Sequence, residues 1–236
     1  AILCTIDNVL LAEPLLSMFQ IKNNNNNMSN VNHSIYARAD PKDADAVAWA
    51  FTSKDTFEKY YFKFPALGKN EIRARIIYTS LCMTDSLICR SKWGGADYPV
   101  CPGHEVIGEA VAVGDDVKSI KVGDKIAYGP YRDSCGKCEW CKKGWTHACV
   151  DIAFEDKCLY GKYFGGYATH IQQPESLCFK MVDKLPLETA APLLCAGITV
   201  YLPLALYYPR EQEKVKVAVY GIGGLGHLAI KYAAKM

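Results

Sequence analysis

Four closely spaced cysteines constrain this chain more than any other feature of its sequence. Cys135, Cys138, Cys141 and Cys149 follow the spacing C-x2-C-x2-C-x7-C. This spacing is typical of a closed tetrahedral zinc site, in which four thiolates fill every coordination position of the metal. Such a site stabilises a fold and leaves no position for a substrate. The spacing therefore predicts a structural zinc lobe at residues 135–149 and a reaction centre elsewhere in the chain.

The composition favours small-molecule chemistry in a reducing compartment. The chain has 236 residues, of which 27 are Lys or Arg and 25 are Asp or Glu, so the formal charge is +2. This balance gives no electrostatic reason to expect a nucleic acid or a membrane as partner. The 11 cysteines are odd in number, and in a chain of this length they indicate reduced, metal-binding thiols and not a disulfide framework. We therefore expect a cytoplasmic protein.

The character of the sequence changes twice along the chain. Residues 1–27 end in a run of five asparagines before Met28, and we interpret them as an extraneous or disordered extension. Residues 28–184 are punctuated by turn residues and predict a β-rich domain, whereas residues 185–236 predict helices around one apolar strand. The fold class is therefore α/β, with a domain boundary near residue 184.

Alternation and apolar periodicity predict individual elements on each side of this boundary. The strands are expected at residues 72–76, 106–113, 125–128 and 215–220. The helices are expected at residues 187–201 and 225–235.

A glycine-rich turn separates the last predicted strand from the last predicted helix. Gly221, Gly223, Gly224, Leu225 and Gly226 belong to the run G-I-G-G-L-G at this point. Glycines here permit a tight turn and close approach of the backbone to a pyrophosphate, which the helix N-terminus then binds. The position between strand and helix favours a dinucleotide site over an ordinary glycine-rich connection.

Taken in order, several motifs resemble those of the zinc-dependent medium-chain alcohol dehydrogenases, in their cinnamyl alcohol dehydrogenase-like branch. The resemblance runs from about residue 36 to the last residue. The motifs that carry it, besides the cysteine lobe and the glycine turn, are C-M-T-D at 82–85, W at 93 with Y-P at 98–99, G-H-E at 103–105, G-G-Y-A at 165–168 and A-P-L-L-C-A-G at 191–197.

This resemblance implies a fold, an activity and two cofactors. The fold would be a GroES-like β-rich catalytic domain followed by the start of a Rossmann dinucleotide-binding domain. The activity would be hydride transfer between a nicotinamide and an aromatic or apolar aldehyde or primary alcohol, with two Zn²⁺ per chain and NADP(H) as cofactor. NAD(H) stays open as the alternative. The residue that discriminates between the two cofactors follows the glycine turn by roughly 20 positions and lies beyond Met236.

The resemblance also implies a role for each residue near the predicted catalytic zinc. Cys82, His104 and Cys195 would hold this zinc, and its fourth position would stay open for substrate. Glu105 is similar to a carboxylate that approaches the metal during ligand exchange, and Asp85 to the acid that orients the histidine through its other ring nitrogen.

Four further residues would handle the proton, the nicotinamide and the substrate. Thr84 resembles the hydroxyl that accepts the alcohol proton, and Thr199 resembles the residue that contacts the nicotinamide ring. Trp93 and Phe154 stand where this branch carries aromatic walls of its substrate pocket.

The sequence departs from the family pattern at three points. Met83 replaces a usual basic residue, which puts one pyrophosphate contact in doubt, and Leu87 replaces a histidine that ends the proton relay. The family also continues beyond Met236, so residues 185–236 are expected to be an incomplete Rossmann part, inactive as given and homodimeric when completed. The alternatives are a zinc polyol dehydrogenase and a non-catalytic zinc-binding fragment.

Overall fold

The computed structural model describes residues 3–5 (backbone), 34–93, 96–153, 157–159, 162–207 and 215–236. Within these ranges the strands are β1 Leu3–Thr5, β2 Ala46–Ser53, β3 Thr56–Phe62, β4 Glu71–Ser80, β5 Val106–Val113, β6 Lys125–Tyr128, β7 His170–Pro174 and β8 Cys178–Lys180. The α-helices are α1 Met83–Cys89, α2 Glu139–Lys142, α3 Leu187–Ala190, α4 Ala196–Tyr207 and α5 Gly224–Ala233. Short 3-10 turns lie at Thr146–Ala148, Glu175–Leu177 and Ala191–Leu194.

Strand β4 is the centre of a six-stranded sheet. The strand order is β1-β4-β5-β6-β8, and all pairs are antiparallel. Strand β7 pairs with the first half of β4, on the same edge on which β1 pairs with the last residues of β4. Ile72, Ala74 and Ile76 alternate into the core with at most 1% exposure, as the period of two predicts. The strands predicted at 106–113 and 125–128 are confirmed with the same bounds.

A hairpin of β2 and β3 shares one hydrophobic cluster with this sheet and is held there in part by aromatic packing. The ring of Tyr36 lies 5.1 Å from that of Phe62 and 4.8 Å from that of Phe164, centroid to centroid. Such tilted ring contacts add to the area they bury. They join the start of the described chain, the hairpin and the segment that precedes β7.

The helix predicted at residues 187–201 is interrupted. It forms as α3, a 3-10 turn and α4, and Cys195 between them has φ −123° and ψ −70°. The interruption includes Pro192, which has no N–H to donate to a helical ladder and lies in the first turn of the 3-10 segment. No single described helix is long and apolar enough to cross a membrane. The pair Leu187–Leu194 and Ala196–Tyr207, which is bent by 62°, has the length and composition for a broken membrane span when both segments are taken together.

The strand predicted at residues 215–220 is not formed. These residues are irregular, and among the described strands none pairs with them. A strand is stable through its ladder partners, and an apolar sequence alone does not supply them. The helix predicted at 225–235 is confirmed as α5, whose Tyr232 packs edge-on against Tyr201 of α4 at 5.7 Å.

Two organisational predictions stay predictions. Apart from β1, the extension at residues 1–27 lies outside the described part of the chain. The domain boundary near residue 184 falls between β8 and α3.

Candidate active site

The four cysteines of the lobe converge around one point. Their sulfur atoms lie within 4.8 Å of one another. Backbone N–H groups point at the sulfurs: Cys138 N donates to Cys135 Sγ at 3.3 Å, and Cys135 N donates to Cys149 Sγ at 3.4 Å. Donors of this kind stabilise thiolates, which are the form that binds zinc.

The balance between backbone donors and desolvation gives the four thiols different pKa values. The N–H of Cys135 lowers the pKa of Cys149 to about 6, and the N–H of Cys141 lowers the pKa of Cys138. Desolvation raises the pKa of Cys135 to about 11 and also raises the pKa of Cys141. A cation that binds here would displace the remaining protons, so this donor set fits Zn²⁺ and its binding would release protons.

A second convergence joins Cys82, His104 and Cys195, whose ligand atoms also lie within 4.8 Å of one another. Cys82 lies between β4 and α1, His104 lies just before β5, and Cys195 occupies the break before α4. The histidine is 1% exposed, and both cysteines are half-buried. Three distant segments therefore place two sulfurs and one imidazole together, a set that suits zinc with one position open.

Asp85 holds two of these segments in place. Its carboxylate is fully buried and accepts from Cys82 N at 3.2 Å, Gly103 N at 2.8 Å and Tyr167 Oη at 3.3 Å. It also pairs with His104 Nδ1 at 2.9 Å. Since Nδ1 faces the carboxylate, Nε2 is the ring nitrogen that a metal would bind.

Proton distribution within this group favours a thiolate beside a charged imidazole when metal is absent. The hydrogen bond from Cys195 lowers the pKa of Cys82 to about 3, and the same contact raises the pKa of Cys195. Burial opposes charge on His104, but the Asp85 carboxylate and the Cys82 thiolate outweigh it and raise its pKa to about 10. One thiolate is thus already present, and a metal would replace the protons on the other two groups.

Glu105 lies behind the three ligand positions. Its carboxylate accepts from the Ser80 hydroxyl and, at 3.4 Å, from Ala196 N. Burial raises the pKa of this carboxyl, and the bond from Ser80 opposes the rise. The carboxylate is thus near the candidate zinc position and held by two neighbours.

Thr84 and Thr199 flank the group. Thr84 is in the first turn of α1, close enough to the sulfur of Cys82 that its hydroxyl and its N–H help to lower the pKa of that thiol. Leu87 follows one turn later on the same helix. Thr199 is exposed in the first turns of α4, where its N–H donates to Cys195 O at 2.9 Å.

A largely apolar cavity of about 510 Å³ opens beside Thr199. Its lining includes four residues with polar side chains, Tyr131, Thr146, His147 and Thr199, of which sequence reasoning assigned a role only to Thr199. The sequence feature that could have indicated the other three is their position within or just before the cysteine lobe. In the structure these residues lie opposite residues of α4 across the cavity. The apolar lining comprises Pro130, Leu177, Phe179, Leu193, Leu194, Ile198 and Leu202.

The two predicted aromatic walls are not found in this lining. Trp93 is 65% exposed and is not among the described residues around the cavity. Phe154 lies outside the described residues. Their roles in a substrate pocket stay predictions.

The glycine run forms a tight turn into α5. Gly221 has φ +87°, a left-handed conformation that favours glycine. A Cβ on Gly226 would lie 1.9 Å from the carbonyl oxygen of Gly221, so the helix approaches the turn as closely as a missing side chain allows. Gly223, Gly224 and Leu225 are exposed at the N-terminus of the helix, where backbone donors suit a phosphate.

Comparisons with known proteins agree with this geometry. Residues 68–183 match the model of the alcohol dehydrogenase GroES-like domain. Cinnamyl alcohol dehydrogenase 7 of Arabidopsis thaliana is 34% identical over 199 residues, covering 80% of this chain and 54% of the relative. A probable cinnamyl alcohol dehydrogenase 1 of Oryza sativa subsp. japonica is 40% identical, covering 78% and 53%. A probable mannitol dehydrogenase of Fragaria ananassa is 35% identical, covering 81% and 54%.

A solved structure extends the agreement to the fold. The cinnamyl alcohol dehydrogenase of Helicobacter pylori, complexed with NADP(H), has a TM-score of 0.73 and 35% identity, covering 81% of this chain and 56% of that one. The chain spans about half the length of the curated relatives it matches. The comparisons confirm the resemblance of this chain to the zinc-dependent medium-chain alcohol dehydrogenases, in their cinnamyl alcohol dehydrogenase-like branch, and residues 68–183 carry the match to the alcohol dehydrogenase GroES-like domain.

Proposed function

We propose that this chain belongs to a zinc- and NADP-dependent alcohol dehydrogenase or aldehyde reductase, and that its described part supplies the metal sites and the first turn of the nucleotide site. The observation that carries the proposal is the convergence of Cys82, His104 and Cys195 within 4.8 Å. The four-cysteine lobe would bind a second, structural zinc. Relatives named as cinnamyl alcohol dehydrogenases support the reaction class.

When bound, zinc polarises the substrate oxygen and the nicotinamide carries the hydride. The residues of this chain hold and orient the ligand groups and move the proton. Asp85 fixes the imidazole plane through Nδ1. The hydroxyl of Thr84 stands next to Cys82 and would accept the alcohol proton. Leu87 has no titratable group, so this side chain would not carry the proton onward from Thr84.

The cavity beside Thr199 supports an aromatic or apolar substrate. Its lining is dominated by apolar side chains, with a few polar groups at Tyr131, Thr146 and His147. Such a lining favours the binding of a planar apolar ring over the binding of a molecule with several hydroxyl groups. The preference for NADP(H) is supported by the Helicobacter pylori structure complexed with NADP(H).

A polyol dehydrogenase is the second candidate, because relatives of this chain include probable mannitol dehydrogenases of Fragaria ananassa and Medicago sativa. A polyol would need hydrogen-bond partners for each buried hydroxyl. The three polar side chains of the cavity, besides Thr199, offer few of these. Cytoplasmic location and a homodimer stay predictions.

The test uses protein expressed from the full-length gene. We expect about two zinc atoms per chain and NADPH-dependent reduction of cinnamaldehyde with a kcat/KM well above that for oxidation of mannitol. Cys82→Ser should remove one zinc and nearly all turnover while retaining the lobe zinc. Turnover of mannitol above that of cinnamaldehyde would select the polyol candidate. Two zincs without NADPH binding would identify a non-catalytic zinc protein instead.

A further inference from the structure

We infer that Ser80 and Glu105 form a clip that aligns the three candidate zinc ligands before metal binds, with Ser80 as a positioning residue. This inference rests on the proposed zinc function of Cys82, His104 and Cys195. It assigns to Ser80 a role in metal affinity, and to the Glu105 carboxylate a second role besides approaching the metal.

The first half of the clip joins the segments that carry Cys82 and His104. The Ser80 hydroxyl donates to Glu105 Oε2, and Ser80 N donates to Glu105 O at 3.1 Å. Ser80 is 0% exposed and Glu105 is 2% exposed. Ser80 precedes Cys82 by two residues, and Glu105 directly follows His104, so these two bonds fix the distance between the ligand-bearing segments.

The second half of the clip reaches the third segment. The other carboxylate oxygen, Oε1 of Glu105, accepts from Ala196 N at 3.4 Å. Ala196 directly follows Cys195, whose φ of −123° and ψ of −70° are not helical and whose carbonyl accepts the first bond of α4, from Thr199 N. The bond from Ala196 N to Glu105 holds the same junction from the other side, so it further limits where the sulfur of Cys195 can lie.

The hydroxyl of Ser80 determines which way the carboxylate faces. A glutamate side chain has several accessible rotamers, and one fixed oxygen aims the other. With Oε2 held by Ser80, Oε1 is directed at Ala196. Without the hydroxyl, the carboxylate is released from this orientation, and the position of Cys195 is less well defined. Groups that orient metal ligands in this way typically change metal affinity by about 10- to 100-fold when removed.

A neighbouring residue supplies a matched control. Thr79 is also buried on β4, at 2% exposure, and its hydroxyl has no hydrogen-bond partner among the described residues. Thr79→Val therefore removes a buried hydroxyl next to the clip without touching it. Ser80→Ala removes a buried hydroxyl within the clip. Glu105→Gln keeps the shape of the side chain and weakens its bond to Ala196 N by removing the charge.

The experiment measures zinc affinity at each site by competition with a colorimetric chelator, using protein from the full-length gene. We expect Ser80→Ala to lower the zinc affinity of the three-ligand site about tenfold and Glu105→Gln to lower it as well. Thr79→Val should keep the zinc affinity of this site within about twofold of the wild-type value. The lobe zinc should be unchanged in all three. A second readout is the visible absorption spectrum of Co²⁺ at the three-ligand site. It is obtained by subtracting the spectrum of Co²⁺-loaded Cys82→Ser protein, in which only the lobe is filled. We expect this difference spectrum to change in Ser80→Ala and to stay unchanged in Thr79→Val.

The outcomes separate the clip from the proposed function. Wild-type affinity and an unchanged Co²⁺ spectrum in folded Ser80→Ala would overturn the clip while leaving the two-zinc proposal intact. An equal loss in Ser80→Ala and Thr79→Val would also overturn it, because the effect would then follow from disturbing β4. Absence of the second zinc from the wild-type protein would instead remove the proposed function on which the clip rests.

Discussion

Replacing Asp85 by asparagine tests how strongly one buried carboxylate organises the candidate catalytic centre. The carboxylate has four partners, at distances from 2.8 to 3.3 Å: Gly103 N, His104 Nδ1, Cys82 N and Tyr167 Oη. Asparagine has nearly the same shape but offers one acceptor oxygen and one NH₂ group. At least one of the backbone donors would therefore face another donor.

The expected magnitude follows from these contacts. If the amide oxygen keeps Gly103 N and the imidazole, Cys82 N loses its acceptor, which costs about 1–3 kcal/mol for a buried donor. The retained bonds weaken from about 1.5–3 to about 0.5–1.5 kcal/mol each, because the acceptor is no longer charged. Removing a buried charge offsets part of this loss. We expect a net destabilisation of the metal-free protein of about 2 kcal/mol.

The effect on metal binding should be similar in free energy to the effect on stability. The imidazole would lose the carboxylate that fixes its orientation, so zinc affinity at Cys82, His104 and Cys195 should fall about 10- to 100-fold. Chelator competition measures the affinity, and urea unfolding of the metal-free protein measures the stability. Tyr167→Phe is the control, since it removes one bond of 3.3 Å, at about 1.5 kcal/mol, and leaves the imidazole and both backbone donors paired with the carboxylate. Asp85→Asn protein with wild-type zinc affinity would refute the assignment.

Three further predictions address the lobe, the proton path and the glycine turn. Cys135→Ser should lower thermal stability and remove one zinc in metal analysis without changing the ratio of kcat/KM values between two aldehydes, because the lobe is separate from the reacting atoms. Thr84→Ala should remove most turnover in both directions, and Leu87→His should raise alcohol oxidation near neutral pH more than aldehyde reduction; near wild-type turnover of Thr84→Ala would contradict the relay. Gly226→Ala should weaken NADPH binding about tenfold by fluorescence titration, since its Cβ would meet the carbonyl oxygen of Gly221 at 1.9 Å and displace the turn; unchanged NADPH affinity in folded Gly226→Ala would contradict the assignment.

The sequence was informative wherever a local pattern decides the structure. The strands at Val106–Val113 and Lys125–Tyr128 follow from short apolar runs bounded by turn residues, and the start of α5 follows from the glycine turn. The four-cysteine convergence follows from spacing alone. In each case the pattern that predicts the element lies within a short run of residues, although β5 and β6 form their ladders with each other and with β4 and β8.

The missed features depend on contacts between distant segments. The break at Cys195 places its sulfur beside Cys82, and periodicity over residues 187–201 carries no sign of it apart from Pro192. The apolar run at residues 215–220 has strand composition but no described partner strand. Tyr131 faces the cavity because the lobe folds toward α4, which a single sequence does not encode locally.

The two candidate metal sites differ in how much of the chain each requires. All four lobe sulfurs belong to residues 135–149, whereas the other set needs residues 82, 104 and 195 to meet. During synthesis on the ribosome, the lobe can therefore take up zinc soon after Cys149 emerges, while the second set waits until Cys195 has emerged and docked. Under zinc starvation, newly made chains should accumulate with a filled lobe and an empty reaction centre, and later zinc supply should activate this pool without new protein synthesis.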